Sequence, residues 1–269
     1  MSPGELRAFF DGQLGAWPEA AGRYAALMDV RQRMLTVDGV EYTLQYNPAR
    51  SISTMAKVDP ISVAARPCFL CGGNRPPLQR AIAMLDGKYE LLVNPFPIFI
   101  PHFTLPATTH TPQSLSARLR DMARLATELP FMAIFYNGPR CGASAPDHMH
   151  FQAVDRQVLP LIRNIGSGNA PAFPHKVIHL RGTDSLNDID IERTYPDVNV
   201  IAWVGEEINV VVIPRRSHRP ACYGDEGLMV SPATIDLCGV VVTPRERDFE
   251  SMTASQLKEI IRDVTFRQD

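Results

Sequence analysis

The sequence lacks a surplus of charge of either sign. Its 269 residues include 27 lysines and arginines against 29 aspartates and glutamates, so the formal net charge is only -2. Generic binding to a nucleic-acid polymer depends on surplus basic side chains that meet the phosphates. The composition therefore excludes that class of function, whereas a single nucleotide needs only a local basic pocket.

Long apolar runs are also lacking. No stretch approaches the roughly 20 apolar residues that a membrane helix needs, and the first residues do not combine a charged start with an apolar segment. We therefore expect a soluble, cytoplasmic protein. Cysteine is scarce, with an odd count of five, which fits a reducing compartment and a metal or redox site better than a disulfide framework.

Residues 137 to 152 carry the strongest functional pattern. The first part is rich in glycine, proline and small residues, which predicts a loop. Strict alternation then places His148, His150 and Gln152 at one parity and apolar residues at the other. Because side chains two residues apart share a face of a strand, the pattern predicts a β-strand with an apolar back and a polar front.

This polar face suits an anion better than bulk water. Backbone N–H groups of a Gly/Ser loop can bind a phosphate, and a neutral imidazole beside a phosphate can act as a nucleophile. The alternative is an edge strand whose two histidines face water.

The run His148-Met-His150-Phe-Gln152 resembles the His-x-His-x-Gln motif of the histidine-triad (HIT) superfamily, in the branch of galactose-1-phosphate uridylyltransferase, diadenosine tetraphosphate phosphorylase and the GDP-hexose phosphorylases. Cys68-Phe-Leu-Cys71 resembles the zinc-binding segment of the uridylyltransferase, and Leu92-Val-Asn94-Pro resembles its ribose-binding strand. The resemblance implies an α+β fold, a HIT-like antiparallel sheet with flanking helices, and two HIT-like units in one chain.

Three segments are expected along the chain. Residues 1–38 form a helical lead-in, residues 39–160 a catalytic HIT-like unit, and residues 161–269 a second, degenerate unit without the His-x-His motif. The last two could also form one continuous domain. Strands are predicted at residues 39–47, 89–93, 98–105, 131–136, 175–180, 198–205, 207–213 and 238–243. Thr111 predicts a helix start, Thr253 predicts another, and a linker is expected between residues 155 and 170.

Cys68 and Cys71 predict a metal site. The glycines and prolines around them resist the helix that a redox Cys-x-x-Cys motif normally opens, so structural zinc is preferred. Spacing alone does not identify further ligands. The resemblance implies His110 and His148, with His102 as the competitor for the place of His110.

The resemblance also implies roles at a nucleotide site. His150 would be the nucleophile that attacks the α-phosphorus. Backbone N–H groups from Gly142 to Ser144, the Ser144 hydroxyl and the Gln152 amide would neutralise the phosphate oxygens. Further ribose, base or phosphate contacts are expected from Asn94, Phe96, Asn137, Arg50, Lys57, Arg219 and Arg245. For the basic residues of that set, a solvated surface position is an equal alternative.

Gln152 indicates transfer rather than hydrolysis. A glutamine cannot titrate, so it cannot protonate a leaving group as a third histidine could. We expect a nucleotidyltransferase or phosphorylase that acts on a nucleotide sugar or dinucleoside polyphosphate, with phosphate or a sugar phosphate as acceptor in ping-pong fashion. The alternatives are a HIT-type nucleotide hydrolase and a non-catalytic, zinc-stabilised nucleotide-binding protein. Met149 stands where uridylyltransferases have proline, so the base, the acceptor and the oligomeric state, a dimer included, stay open.

Overall fold

The computed structural model describes residues 1–51, 59–166, 173–186 and 190–268. The helices are α1 (Pro3–Ala16), α2 (Pro18–Ala25), α3 (Pro60–Ala64), α4 (Leu119–Glu128), α5 (Pro160–Gly166), α6 (Ile191–Thr194), α7 (Thr234–Leu237), α8 (Glu246–Ser251) and α9 (Ala254–Val264). The strands are β1 (Arg31–Val37), β2 (Val40–Tyr46), β3 (Ala81–Met84), β4 (Tyr89–Val93), β5 (His102–Pro106), β6 (Met132–Asn137), β7 (His150–Asp155), β8 (Ile178–Arg181), β9 (Val198–Val204), β10 (Ile208–Pro214) and β11 (Val240–Thr243). None of the helices in these ranges is long and apolar enough to cross a membrane.

An eight-stranded antiparallel sheet forms the centre of the molecule. Its strand order is β3-β4-β5-β7-β6-β9-β10-β8. Strand β7, which carries the His-x-Gln part of the motif, lies between β5 and β6. The β5 ladder continues to the pair Pro106↔His150, whereas the β6 ladder stops at Phe135↔Gln152. Strands β6 and β7 therefore separate beside His150.

The two faces of this sheet bury different cores. Phe151 belongs to a cluster with side chains from α1, α2 and α4. Phe135, opposite Gln152 on the neighbouring strand, belongs to a second cluster with the small sheet and α9. Because residues two apart share a face, His150 and Gln152 lie on the second face.

A three-stranded sheet, ordered β1-β2-β11, packs on that second face. Strands β1 and β2 form a hairpin around Asp38 and Gly39, both with positive φ, which is the conformation that a two-residue hairpin turn needs. Strand β11 pairs with β2 in parallel. The C-terminal part of the chain is thereby tied to its beginning.

The predicted α+β fold, with an antiparallel sheet and flanking helices, is confirmed. The predicted segments are less distinct, because β1 lies inside the expected helical lead-in 1–38 and pairs with β2. Strand β9 pairs with β6 across the expected boundary at residue 160, so residues 39–160 and 161–269 share one sheet. The division into two HIT-like units stays a prediction.

Three element predictions were wrong. The helix expected from Thr111 begins only at Leu119, because the Thr111 carbonyl accepts the Met149 N–H at 2.7 Å and holds that segment against the residues just before β7. The strand expected over residues 98–105 begins at His102. The linker expected between residues 155 and 170 contains α5 (Pro160–Gly166) instead, and its residues 167–170, like Lys57, lie outside the described residues.

Candidate active site

His150 is the first residue of β7, and its side chain is buried, with 4% of the residue exposed. Its ring Nδ1 lies 2.8 Å from the carbonyl oxygen of His148. A carbonyl can only accept, so Nδ1 carries the proton and Nε2 carries the free electron pair. Burial lowers the pKa of His150 to about 4, which keeps the ring neutral at pH 7. The imidazole therefore has the tautomer and charge that a nucleophile requires.

Gln113 holds the backbone of His150. Its Oε1 accepts the His150 N–H at 2.8 Å, and its Nε2 donates to the His150 carbonyl at 3.1 Å and to the Asn137 carbonyl at 2.9 Å. The side chain replaces ladder hydrogen bonds at the place where β6 and β7 separate. Sequence reasoning missed Gln113, because nothing in the local pattern indicates a glutamine that bonds to a strand 37 residues later.

Gln152 is oriented by a buried histidine. His102 Nε2 donates to Gln152 Oε1 at 2.9 Å, and His102 Nδ1 accepts the Ile98 N–H at 3.2 Å. Burial, followed by the charge of Arg50, lowers the pKa of His102 to about 3 and keeps it neutral. With its oxygen occupied, Gln152 retains an amide nitrogen that bonds to no protein acceptor among the described residues, and that donor suits a phosphate oxygen.

A pocket of about 640 Å³ opens above His150. Its walls come from α2, the β4–β5 turn, the cysteine segment, the loop before β7 and the C-terminal segments, represented by Trp17, Arg23, Arg50, Arg66, Phe69, Asn94, Phe96, Asn137, Gly142, Ser144, Gln152, His218, Arg219 and Asp236. The volume lies within the range of small-molecule sites. Sequence reasoning gave the helical lead-in no role, yet Trp17 and Arg23 line this pocket.

The loop before β7 forms one wall. Gly142 has φ +100°, and a Cβ there would lie 2.6 Å from the Cβ of Ala233, so the close approach of the two segments requires glycine. Within the described parts of the chain, the N–H groups of Gly142 and Ser144 donate to no protein acceptor. The sequence predicted the N–H groups from Gly142 to Ser144 as phosphate donors, but that of Ala143 donates to the Gly138 carbonyl at 3.4 Å.

Asn137 lines the same wall, but its amide oxygen is already engaged. It accepts from Asn199 Nδ2 at 2.9 Å and from the Thr234 hydroxyl at 2.7 Å. Asn94 Nδ2 donates to the Thr104 hydroxyl at 3.0 Å, and Asn94 Oδ1 accepts the Phe96 N–H at 2.8 Å. Both asparagines therefore position neighbouring segments of the wall.

The predicted arginines divide into two groups. Arg50 and Arg219 line the pocket, and Arg50 donates to the Phe96 carbonyl at 2.8 Å. Burial lowers the pKa of Arg50 to about 10, which still leaves it charged at pH 7. The expectation of a phosphate contact at Arg245 needs correction: this residue does not line the pocket, and its guanidinium is drawn away by the carboxylate of Asp225 at 2.7 Å.

Beside the pocket, four potential metal ligands converge. The ligand atoms of Cys68, Cys71, His110 and His148 all lie within 4.8 Å of one another. His148 Nδ1 lies 3.2 Å from Cys68 Sγ, and His110 Nδ1 lies 3.2 Å from Cys71 Sγ. Tetrahedral zinc with its usual bond lengths separates a sulfur from a nitrogen ligand by about 3.6 Å, so the set fits this ion.

The surroundings of His148 suit a metal ligand. Its Nε2 donates to the Ala107 carbonyl at 2.8 Å, which leaves Nδ1 as the electron-pair donor toward the cysteines. Burial lowers the pKa of this ring, and the neutral form is the one that binds a metal. His102, the competitor for the place of His110, lies instead against Gln152.

Residues 9–155, more than half of the chain, match the model of a family described as "Domain of unknown function (DUF4922)", and the chain belongs to that family. It matches no curated protein.

Three crystal structures of yeast Ap4A phosphorylase Apa2 resemble this chain over 94% of its length. The structure without a named ligand has a TM-score of 0.57 at 16% identity and covers 94% of each chain. The complexes with AMP and with Ap4A have TM-scores of 0.60 and 0.61 at 15% identity, and they cover 94% of this chain and 96% and 97% of the yeast chains. At this identity the likeness shows the fold, which is that of the yeast phosphorylase.

Proposed function

We propose that this protein is a nucleotidyl-transferring phosphorylase that acts on a dinucleoside polyphosphate or a nucleotide sugar through a covalent nucleotidyl-His150 intermediate. The observation that carries the proposal is the His150 ring, which is neutral, buried at the base of an arginine-lined pocket, and held with Nε2 as the free nitrogen. The fold shared with yeast Ap4A phosphorylase supports the same class of reaction.

The first step is attack by Nε2 of His150 on the α-phosphorus. A P–N bond forms as the P–O bond to the leaving group breaks, and the electron pair departs on the leaving phosphate oxygen. Negative oxygens repel an approaching nucleophile, so they must be neutralised beforehand. The N–H groups of Gly142 and Ser144 and the Gln152 amide are the donors for this, and one such donor in a dry site contributes about 2.7–4 kcal/mol.

In the second step an oxygen of phosphate, or of a sugar phosphate, attacks the same phosphorus. The P–N bond breaks and its electron pair returns to Nε2 of His150. A dinucleoside tetraphosphate and phosphate would thus give a nucleoside triphosphate and a nucleoside diphosphate. Gln152 supports transfer, because its amide offers no proton for a poor leaving group and no base for water.

Zinc is the metal we propose for Cys68, Cys71, His110 and His148. Four protein ligands would fill its coordination sphere, which is typical of a structural rather than a catalytic site. The ion would fix the cysteine segment and the segment before β7 in one position. His148 would bind the ion through its ring, and its backbone carbonyl orients the ring of His150.

The test is covalent labelling. Purified protein is incubated with α-³²P-labelled nucleotide sugars and dinucleoside polyphosphates, without acceptor. We expect an acid-labile, base-stable adduct in the wild type that is absent from His150→Ala and is discharged by phosphate. Release of free nucleoside monophosphate without an acceptor would favour the hydrolase, and binding without an adduct would favour the non-catalytic nucleotide-binding protein.

A further inference from the structure

Two phenylalanines of the pocket each carry an arginine on one ring face. The guanidinium carbon of Arg23 lies 4.3 Å from the ring centroid of Phe96, and that of Arg66 lies 4.7 Å from the centroid of Phe69. All four residues line the same pocket. A ring that is covered by a guanidinium on one face can stack a planar base on the other. We call these pairs the Phe96 platform and the Phe69 platform.

The two platforms are attached on opposite sides of the nucleophile along the chain. The Phe96 N–H donates to Asn94 Oδ1 at 2.8 Å, and Asn94 Nδ2 lies 3.5 Å from Oε1 of Gln152, two residues after His150. Arg66 is paired with Asp147 at 2.8 Å, three residues before His150. In the sequence, His150 therefore lies between Asp147, which holds the Phe69 platform, and Gln152, which contacts the Phe96 platform through Asn94.

The Phe69 platform is unusual for a protein surface. The ring is 44% exposed although it is large and apolar, and it stands between the two cysteines of the proposed metal site. The Cys71 N–H donates to the Cys68 carbonyl at 3.3 Å and closes the turn that carries the ring, and the Arg66–Asp147 pair fixes the guanidinium beside it. An exposed aromatic ring that is held in place and lines a pocket indicates a binding surface.

We propose that the Phe69 platform binds a second nucleoside, so that the donor is a dinucleoside polyphosphate. This inference rests on the proposed function. The base of the nucleotide that is transferred to His150 stacks on Phe96. The base of the leaving nucleoside polyphosphate stacks on Phe69, and Arg50 and Arg219 provide positive charge for the phosphate chain. A nucleotide sugar has one base and would leave the Phe69 platform without one.

The experiment compares diadenosine tetraphosphate with adenosine 5′-tetraphosphate, each with phosphate as acceptor. The two donors share the adenosine and four phosphates, and only the first has a second nucleoside. Stacking on an aromatic side chain is worth about 1–3 kcal/mol per base, so we expect Phe69→Ala to lower the ratio of the two kcat/KM values about 5- to 150-fold. Phe69→Trp, which preserves stacking, should restore the ratio, and Phe96→Ala should weaken both donors. The same kcat/KM ratio is measured for the corresponding guanosine compounds, diguanosine tetraphosphate and guanosine 5′-tetraphosphate.

Phe266→Ala is the matched control, since Phe266 is 42% exposed and lies outside the pocket. Zinc content and unfolding temperature of Phe69→Ala establish that the metal site and fold are retained. An unchanged ratio in Phe69→Ala would overturn the second-base site. If the wild type cleaves neither donor, the dissociation constants of both ligands in the His150→Ala background give the same ratio, so a failure of the proposed catalysis is distinguished from a failure of this inference.

Discussion

The carbonyl of His148 accepts the Nδ1–H of His150 at 2.8 Å, while the ring of the same His148 lies 3.2 Å from Cys68 Sγ. One residue thus joins the proposed metal site to the proposed nucleophile. The ring and the carbonyl belong to the same short segment, so a displacement of the ring would move the acceptor that sets the tautomer of His150. Metal binding and catalysis should therefore fail together.

Metal removal tests this link. We expect a purified chain to contain zinc, and we expect Cys68→Ser or a strong chelator to abolish that zinc, lower the unfolding temperature and slow adduct formation at least about 10-fold. Zinc content, calorimetry and single-turnover labelling are the measurements. Cys222→Ser, which changes an exposed cysteine away from the metal site, should leave all three unchanged. Undiminished labelling by the zinc-free protein would separate the two sites.

Gln113 should control the rate more than nucleotide affinity. Gln113→Met keeps the volume and removes three hydrogen bonds to the ends of β6 and β7, so we expect adduct formation to fall about 10- to 100-fold with little change in nucleotide dissociation constant. The control is Tyr89→Phe, which removes a buried bond to Asp121 at 2.9 Å, away from the pocket. If Gln113→Met and Tyr89→Phe slowed adduct formation equally, after correction for the fraction of folded protein, Gln113 would contribute to folding only.

Gln152 should act as a donor. Gln152→Glu is nearly isosteric but replaces the N–H donor by a carboxylate oxygen that repels phosphate, so we expect the rate of adduct formation to fall about 100- to 1,000-fold. His102→Phe keeps an aromatic ring but removes the N–H that holds Gln152 Oε1, and a smaller loss is expected. Rapid-quench labelling measures both variants. A Gln152→Glu rate equal to the wild-type rate would remove the amide from the mechanism.

Acid should destabilise the fold through buried neutral histidines. Burial lowers the pKa of His175 to about 4, whereas an unfolded histidine titrates near about 6.5. Between these values the unfolded chain takes up a proton that the folded chain does not, so the free energy of unfolding falls as pH falls. One such histidine contributes about 1.4 kcal/mol per pH unit.

His175→Gln should make the free energy of unfolding less dependent on pH, because glutamine does not titrate. In the wild type His175 Nε2 lies 3.0 Å from the Leu237 carbonyl oxygen, and the glutamine amide can still donate to that oxygen. Denaturant unfolding between pH 7 and 4.5 compares the variant with the wild type. Parallel curves for the two proteins would show that His175 is protonated in the folded state or does not contribute.

Local patterns in the sequence predicted much of the sheet. Sequence patterns identified β2, β4, β9 and β10 within a residue or two. A half-buried strand shows alternating apolar and polar residues, and a fully buried strand shows a continuous apolar run. Strand β1 was not predicted, because its mostly exposed residues show little apolar periodicity. Its pairing with β2 stabilises it instead. The helix at Thr111 failed because hydrogen bonds to the segment before β7 outweigh a good capping sequence.

By itself, the sequence determined the chemical groups: a His-x-His-x-Gln run, a cysteine pair and a glycine-rich loop, each short enough to be recognised within one segment. Only the tertiary structure decided which distant residues serve them. Gln113 on His150, His102 on Gln152, His110 beside Cys71, and the separation of Arg219 from Arg245 all depend on contacts between segments far apart in the chain. Such contacts follow from how β5, β6 and β7 pair and where they separate, and no local periodicity encodes that arrangement.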